Sequence, residues 1–300
     1  MPSRCAICDH PMRRTIEAAV ASGRPAKHVA SDLGLSDRYQ SIVRHLRNHV
    51  GVTAPSLSVA STASQPPSES PVEVFRSAFG SEPHDWQVEY LLGIGPTVVR
   101  KGRQVGATQA AAALAIYTAR SRPGADAVVI SPSQRQSSEI TVRARIGLWE
   151  LGDKLAQDSA GLIRLGNGSR IISLPGNSRG VRGYAPALVV VDEAAWVADD
   201  TFTAVRPLVS ASGGRLIVQS TPGSPVGFFY DLATNTPDEW TRLVVRSADV
   251  PTIDPQFLAR EQREMPPALY AQEYEAEFQT STSDHPLWAE DDWLALIKKQ

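Results

Sequence analysis

The chain has 300 residues, is 42% hydrophobic and 21% charged, and carries a formal net charge of −2. That is an ordinary globular composition, which excludes a low-complexity or polycationic protein. No apolar run is long enough to cross a bilayer and the N-terminus lacks the apolar stretch of a signal peptide, so a cytoplasmic protein with no membrane partner is expected.

Residues 1–50 form a distinct head. They hold eight Lys/Arg against four Asp/Glu, a balance of +4, which leaves 22 against 28, or −6, for residues 51–300. A basic head on a mildly acidic body points to nucleic-acid contact by the head. Both cysteines, Cys5 and Cys8, lie here, and in a cytosolic protein a C-x-x-C pair reads as metal or redox chemistry. With His45 and His49, at i and i+4 on one helical face, they make a tetrahedral structural Zn²⁺ set, with His10 and His28 as substitutes. Two free cysteines and two surface histidines are the other reading. Short helical patterns over 14–23 and 25–36 precede a third, DRYQSIVRHLRNH, which carries Arg38, Arg44 and Arg47. The head resembles small zinc-stapled helix-turn-helix domains of bacterial and phage proteins, which implies a last helix in the major groove. Its turn-to-helix spacing is about two residues longer than usual for that motif.

Residues 51–70 are rich in Ser, Ala and Pro, with one charge and no aromatic. Such a segment cannot bury enough apolar surface to offset its ordering entropy, so a linker is expected. The body, 71–300, alternates short β-branched runs with helical patterns. TVVR (97–100), AVVIS (127–131), RIISL (170–174), ALVVVD (187–192) and RLIVQST (215–221) read as strands buried on both faces. Helices are expected over 108–121 and 133–156, a hairpin over 161–176 turning at Gly166–Gly168, and a helical tail from about 252. Strands alternating with helices predict an α/β domain with a largely parallel sheet, whose ligands bind at the carboxyl ends of the strands.

After the first strand comes K-G-R-Q-V-G-A-T: Lys101, Gly102, Arg103, Gln104, Val105, Gly106, Ala107 and Thr108, followed by Gln109 and an alanine-rich helix. The usual phosphate loop has glycine where Lys101 stands and lysine where Ala107 stands. Backbone N–H groups of such a turn cradle phosphates without any particular side chain. The missing mobile cation can be Lys101, with Arg103 a second charge. A structural turn before a helix is the bland alternative for the loop alone. The strand ALVVVD then presents Asp192 and Glu193 at its carboxyl end, where uncompensated charge is costly. In a phosphate-loop NTPase this Asp and the loop Thr108 hold Mg²⁺, and the next acid polarises the attacking water. Asp192 as a helix cap is the bland reading. Ser220, Thr221 and Pro222 end a third strand, where hydroxyls can sense hydrolysis or merely form a turn. Upstream, Gln87 beside Trp86 suits an adenine edge.

These pieces in this order resemble the large terminase subunit, the DNA-packaging ATPase of tailed bacteriophages, over residues 71–293. The resemblance implies an adenine-contacting Gln87 and a deviant phosphate loop with its lysine first, matched by Lys101–Thr108. It also implies a metal acid and base in Asp192-Glu193-Ala194-Ala195, and a coupling motif in Ser220-Thr221-Pro222. It further implies an arginine that stabilises γ-phosphoryl charge, for which Arg182 in trans or Arg103 in cis is the candidate. ATP and Mg²⁺ are the implied ligands. The implied partners are double-stranded phage DNA, other copies in a ring on a portal, a small terminase subunit and a separate nuclease subunit; the head is expected to recognise phage DNA, or to dock on the portal or a small terminase subunit. The implied place is the host cytoplasm and, transiently, the procapsid portal. The family's nuclease domain would begin near LWAEDDWLALI, where the clustered Asp284, Glu290, Asp291 and Asp292 read as a solvated helix start, so no nuclease is expected in these 300 residues. The competing functions are a helicase-like DNA-stimulated ATPase, and a non-catalytic DNA-binding adaptor whose ATP site has decayed at Ala107.

Overall fold

The computed structural model describes Ile16, residues 69–176 and residues 184–279. The protein divides into two compact units, Met1–Pro66 and Pro67–Gln300. The proposed zinc ligands Cys5, Cys8, His45 and His49, the head arginines Arg38, Arg44 and Arg47, the arginine Arg182 and the acids beyond 279 lie outside the described residues.

The second unit opens with α1 (Pro71–Phe79). Ser70 caps it by accepting from the Glu73 N–H, Pro71 sits in the first turn, and Gly80 closes it at φ 62°. Helix α2 (Asp85–Leu92) follows, its first turn tied by the His84 N–H donating to the Gln87 amide oxygen at 2.8 Å. Then come β1 (Thr97–Lys101), α3 (Ala107–Ser121), β2 (Asp126–Ser131), α4 (Gln134–Glu150), β3 (Leu155–Ser159), β4 (Leu162–Leu165), β5 (Arg170–Pro175) and β6 (Leu188–Asp192). A single 3₁₀ turn, Ala194–Trp196, leads to α5 (Asp199–Ser212), β7 (Arg215–Ser220), α6 (Phe228–Thr234), β8 (Thr241–Val245), α7 (Pro255–Glu264) and α8 (Pro267–Glu273).

The eight strands form one sheet in the order β3-β4-β5-β2-β6-β7-β1-β8. From β5 to β8 every pairing is parallel, and β3, β4 and β5 pair antiparallel at one end. Alternate residues of each central strand face opposite layers. Val99, Val129, Val190 and Ile217 pack under α3 and α4, while Val98, Val128, Val189 and Val218 pack over α5 and α6. Burial on both faces is why these strands read as unbroken apolar runs. Helix α3 buries Ala110, Ala111, Ala112, Ala113 and Ala115 completely, so its backbone lies close on the sheet.

The α/β architecture with a largely parallel sheet is as expected, and so is the hairpin: β4 and β5 pair antiparallel and turn at Gly166–Gly168. Two expectations need correction. The helix expected over 133–156 stops at Glu150, because Gly152 turns the backbone at φ 75° and Leu155–Ser159 joins the sheet as β3. Among the described residues the tail holds two helices, since Pro266 and Pro267 interrupt the hydrogen-bond ladder between α7 and α8. No helix among the described residues is long and apolar enough to cross a membrane.

Candidate active site

The site lies at the carboxyl edge of the parallel strands. It begins where β1 delivers Lys101, whose side chain is only 10% exposed. Its ammonium donates to Glu193 Oε1 at 2.9 Å, across 92 residues of sequence. The loop then runs from Gly102 to Gly106 and enters α3.

The loop is held from three sides. The Gly102 N–H donates to the Val245 carbonyl at 2.7 Å, and the Arg103 N–H to the Glu273 carbonyl at 2.7 Å. The Ser247 hydroxyl donates to the Arg103 carbonyl at 2.8 Å. The Arg103 guanidinium also pairs with the Glu273 carboxylate. On the other side, the Gln87 amide donates to the Gly106 carbonyl at 3.0 Å. Gly106 needs to be glycine, because its φ is 88° and a Cβ would meet Gln87 Nε2 at 2.8 Å. Gly102 is glycine for space: a Cβ there would meet Ser247 Oγ at 2.6 Å and the Tyr274 carbonyl oxygen at 2.7 Å. Gly102→Ala is therefore expected to lower the stability of the fold by about 1–3 kcal/mol, read as a lower midpoint in thermal or urea unfolding. An unchanged midpoint would mean that the loop yields cheaply.

The consequence of this bracing is a set of free donors. Among the described residues, the backbone N–H groups from Gln104 to Thr108 meet no acceptor, up to Gln109, which returns to the Gly106 carbonyl. Gln104 sits at φ 60° and Gly106 at φ 88°, so the turn is left-handed at both. Consecutive N–H groups in such a turn, at the head of a 15-residue helix, form an anion-binding concavity. Val105 and Ala107 point into the core and are 1% and 5% exposed. Position 107 is thus filled by a packed methyl group, and the cations of the loop are Lys101, paired with Glu193, and Arg103, paired with Glu273. Thr108 stands half-buried in the first turn of α3, and Gln109 leans towards the Ser81 hydroxyl at 3.5 Å.

Next to this loop, β6 ends in Asp192 and the backbone turns out of the sheet through Glu193. Glu193 adopts φ 50°, ψ 46°, a left-handed conformation unusual for its type. That turn sends the two carboxylates in different directions. Asp192 is buried beneath, 6% exposed, and Glu193 reaches across to Lys101, with its second oxygen 3.4 Å from the Ser220 hydroxyl. Burial pushes the Asp192 carboxyl above its ordinary range, while Lys101 opposes the shift. Asp192 Oδ1 accepts from Gln219 Nε2 at 2.8 Å, and Gln219 Oε1 accepts from the Tyr90 hydroxyl at 3.0 Å. Burial also pushes the Tyr90 phenol well up, so it stays protonated and remains a donor. Ser131, fully buried at the end of β2 and one residue past the Ile130–Val191 pair, has a hydroxyl with no partner among the described residues.

The structure thus brings together Gln87, Lys101, the loop Gly102–Thr108, Asp192, Glu193 and Ser220, all named from the sequence. Thr221 and Pro222 are buried directly after Ser220. Gln87 is placed as a brace on the loop, with its carbonyl occupied by His84 and one N–H by Gly106. Arg103 is latched to Glu273. Tyr90, Gln219, Ser131, Ser247 and Glu273 join the site without belonging to any of its sequence motifs. Gln219 carried a signal, as the lone amide inside the apolar strand RLIVQS; the others carried none.

Hard oxygen donors are what a Mg²⁺ that travels with a nucleotide takes from protein. The Thr108 hydroxyl, the Asp192 carboxylate and the unpartnered Ser131 hydroxyl on the adjacent strand meet that requirement. A parallel sheet, a donor-rich loop into a helix and an acid pair at the end of a strand two places away in the sheet define the phosphate-loop NTPase class.

The family model described as terminase large subunit, T4likevirus-type, N-terminal, matches residues 98–291. The chain belongs to that family. A probable terminase large subunit of Enterobacteria phage P7 is 29% identical over 93 residues, which is 28% of this chain and 19% of that protein. The ATPase domain of the Thermus phage P74-26 large terminase superposes with a TM-score of 0.62 at 22% identity, over 70% of this chain and 99% of that one. The large terminase of a thermophilic bacteriophage, solved in complex with ADP, superposes with a TM-score of 0.55 at 15% identity, over 69% of this chain and 52% of that one. At such identities the two structures show a common fold.

Proposed function

We propose that this protein is the ATP-hydrolysing motor part of a phage DNA-packaging terminase, coupling hydrolysis to translocation of double-stranded DNA. The observation that carries this reading is the run of unpaired N–H groups from Gln104 to Thr108, closed onto the acid pair by the bond from Lys101 to Glu193. In this reading the loop amides receive the phosphates and Gln87 holds the loop in shape. Thr108 and Asp192 would hold Mg²⁺, which would supply neutralisation of the phosphoryl charge. Lys101 starts on Glu193. A polyphosphate carries more negative charge than one carboxylate, so it draws the ammonium to itself and leaves Glu193 free to accept a proton. Water attacks the γ-phosphorus, the bond from that phosphorus to the β-phosphoryl bridging oxygen breaks, and Glu193 takes the water's proton. Ser220, hydrogen-bonded to Glu193 and followed by Thr221 and Pro222, senses the change and passes it into the loop after β7.

The finger role falls to Arg182 or Arg103. Arg103 is already engaged by Glu273, which favours a latching role for it and leaves the finger to Arg182, acting on a neighbouring copy. DNA-stimulated ATP hydrolysis by the full-length protein tests the function. Mixing inactive Arg182→Ala subunits with the parent tests the trans assignment, which fails if Arg182→Ala alone hydrolyses normally. A folded protein that neither binds nor hydrolyses ATP, with DNA and partner subunits present, would favour the adaptor reading instead.

A further inference from the structure

Gln219 is a neutral amide, fully buried in the centre of the sheet, and both of its ends are engaged. A buried amide is tolerated only when its donors and acceptor are satisfied. Its oxygen accepts from Tyr90 at 3.0 Å and its nitrogen donates to Asp192 at 2.8 Å. The polarity of this relay is fixed from both ends. A flipped amide would set its oxygen against the Asp192 carboxylate and would leave the Tyr90 hydroxyl without its acceptor. Asp192 is therefore held in one orientation, with Oδ1 occupied by Gln219 and no side chain among the described residues on the other oxygen. Tyr90 lies one helical turn after Gln87 on α2, and Gln87 holds the Gly106 carbonyl. One short helix thus touches the phosphate loop through Gln87 and the acid of the neighbouring strand through Tyr90 and Gln219.

We propose that Tyr90 and Gln219 are positioning residues for Asp192, holding its carboxylate in the orientation that accepts the metal ion of a metal–nucleotide complex. The proposal rests on the reading of Asp192 as a metal ligand. Partners that orient a ligating carboxylate typically change metal affinity by about 10- to 100-fold when lost. The test is Mn²⁺ binding to the full-length protein carrying bound ADP, with excess nucleotide removed so that free ADP takes up no Mn²⁺, followed by the loss of the free Mn²⁺ electron paramagnetic resonance signal. ADP binding without metal and the thermal midpoint are measured alongside. Tyr90→Phe, which removes one oxygen, is expected to keep the fold and metal-free ADP binding and to weaken Mn²⁺ binding by about tenfold. Gln219→Leu is expected to weaken it at least as much, and adding Tyr90→Phe to Gln219→Leu is expected to change Mn²⁺ affinity no further. A merely structural role would show instead as a lower midpoint with parental Mn²⁺ affinity, and that result in a folded Tyr90→Phe protein overturns the proposal even if Gln219→Leu fails to fold. Asp192→Asn separates the two readings. If it weakens Mn²⁺ binding while the other variants do not, the relay alone is wrong; if it has no effect, the metal assignment falls and the relay with it.

Discussion

Glu193→Gln should bind ATP as the parent does and hydrolyse it about 10²- to 10⁴-fold more slowly, the usual worth of a general base. The substitution is mild for the fold. The glutamine carbonyl can still accept from the Lys101 ammonium, now 2.9 Å from Oε1, and its shape preserves the turn at φ 50°. What is lost is the ability to take a proton from water. Equilibrium binding of a fluorescent ATP analogue and single-turnover phosphate release together separate the two effects. A variant that binds but does not turn over places the defect in chemistry. A variant that hydrolyses at the parental rate removes Glu193 from the base role.

Lys101→Ala is the second large effect. The lysine is buried at the mouth of the loop, and the Lys101–Glu193 contact is the ion pair that joins the loop to the acid pair among the described residues. Removing it takes away the buried positive charge at the entry of the loop and leaves Glu193 without its cation. A lost group that stabilises transition-state charge typically costs about 10²- to 10³-fold in rate. The fall is expected in kcat as well as in ATP affinity. Because the Glu193 side chain is 26% exposed, its unpaired charge remains partly hydrated, and only a modest fall in stability is expected. Lys101→Arg is a poor rescue, since a planar guanidinium does not fit where a compact ammonium is enclosed.

The parts of this fold that could be read from the residues are those decided locally. Val98, Val128, Val189 and Val218 belong to strands buried on both faces, and their unbroken apolar runs declare it. Lys101, Asp192, Glu193 and Ser220 share one property in the sequence: each stands at or just beyond the end of such a run. Strand β3, Leu155–Ser159, is nearly all exposed, so its residues carry no strand pattern and blend with the preceding helix. Strand β8 buries only Leu243 and Val245 and is inconspicuous for the same reason. The missed site residues depend on contacts between distant positions. Tyr90 meets Gln219 across 129 residues, and Arg103 meets Glu273 across 170. Periodicity reports which face of an element is buried and says nothing of which distant side chain it will meet. The bracing of the loop by Val245, Ser247 and Glu273 is visible only once β8 and α8 are seen to lie beside it.

The displaced lysine is the centre of this reading, and one rate tests it most directly. That rate is single-turnover phosphate release from the full-length protein loaded with saturating Mg·ATP, compared between the parent and Lys101→Ala. Loading at saturation removes any difference in affinity. A fall of about 10²-fold or more is expected, because Ala107 offers no cation in its place. Equal rates in a folded Lys101→Ala protein would contradict the assignment of Lys101 to the phosphates.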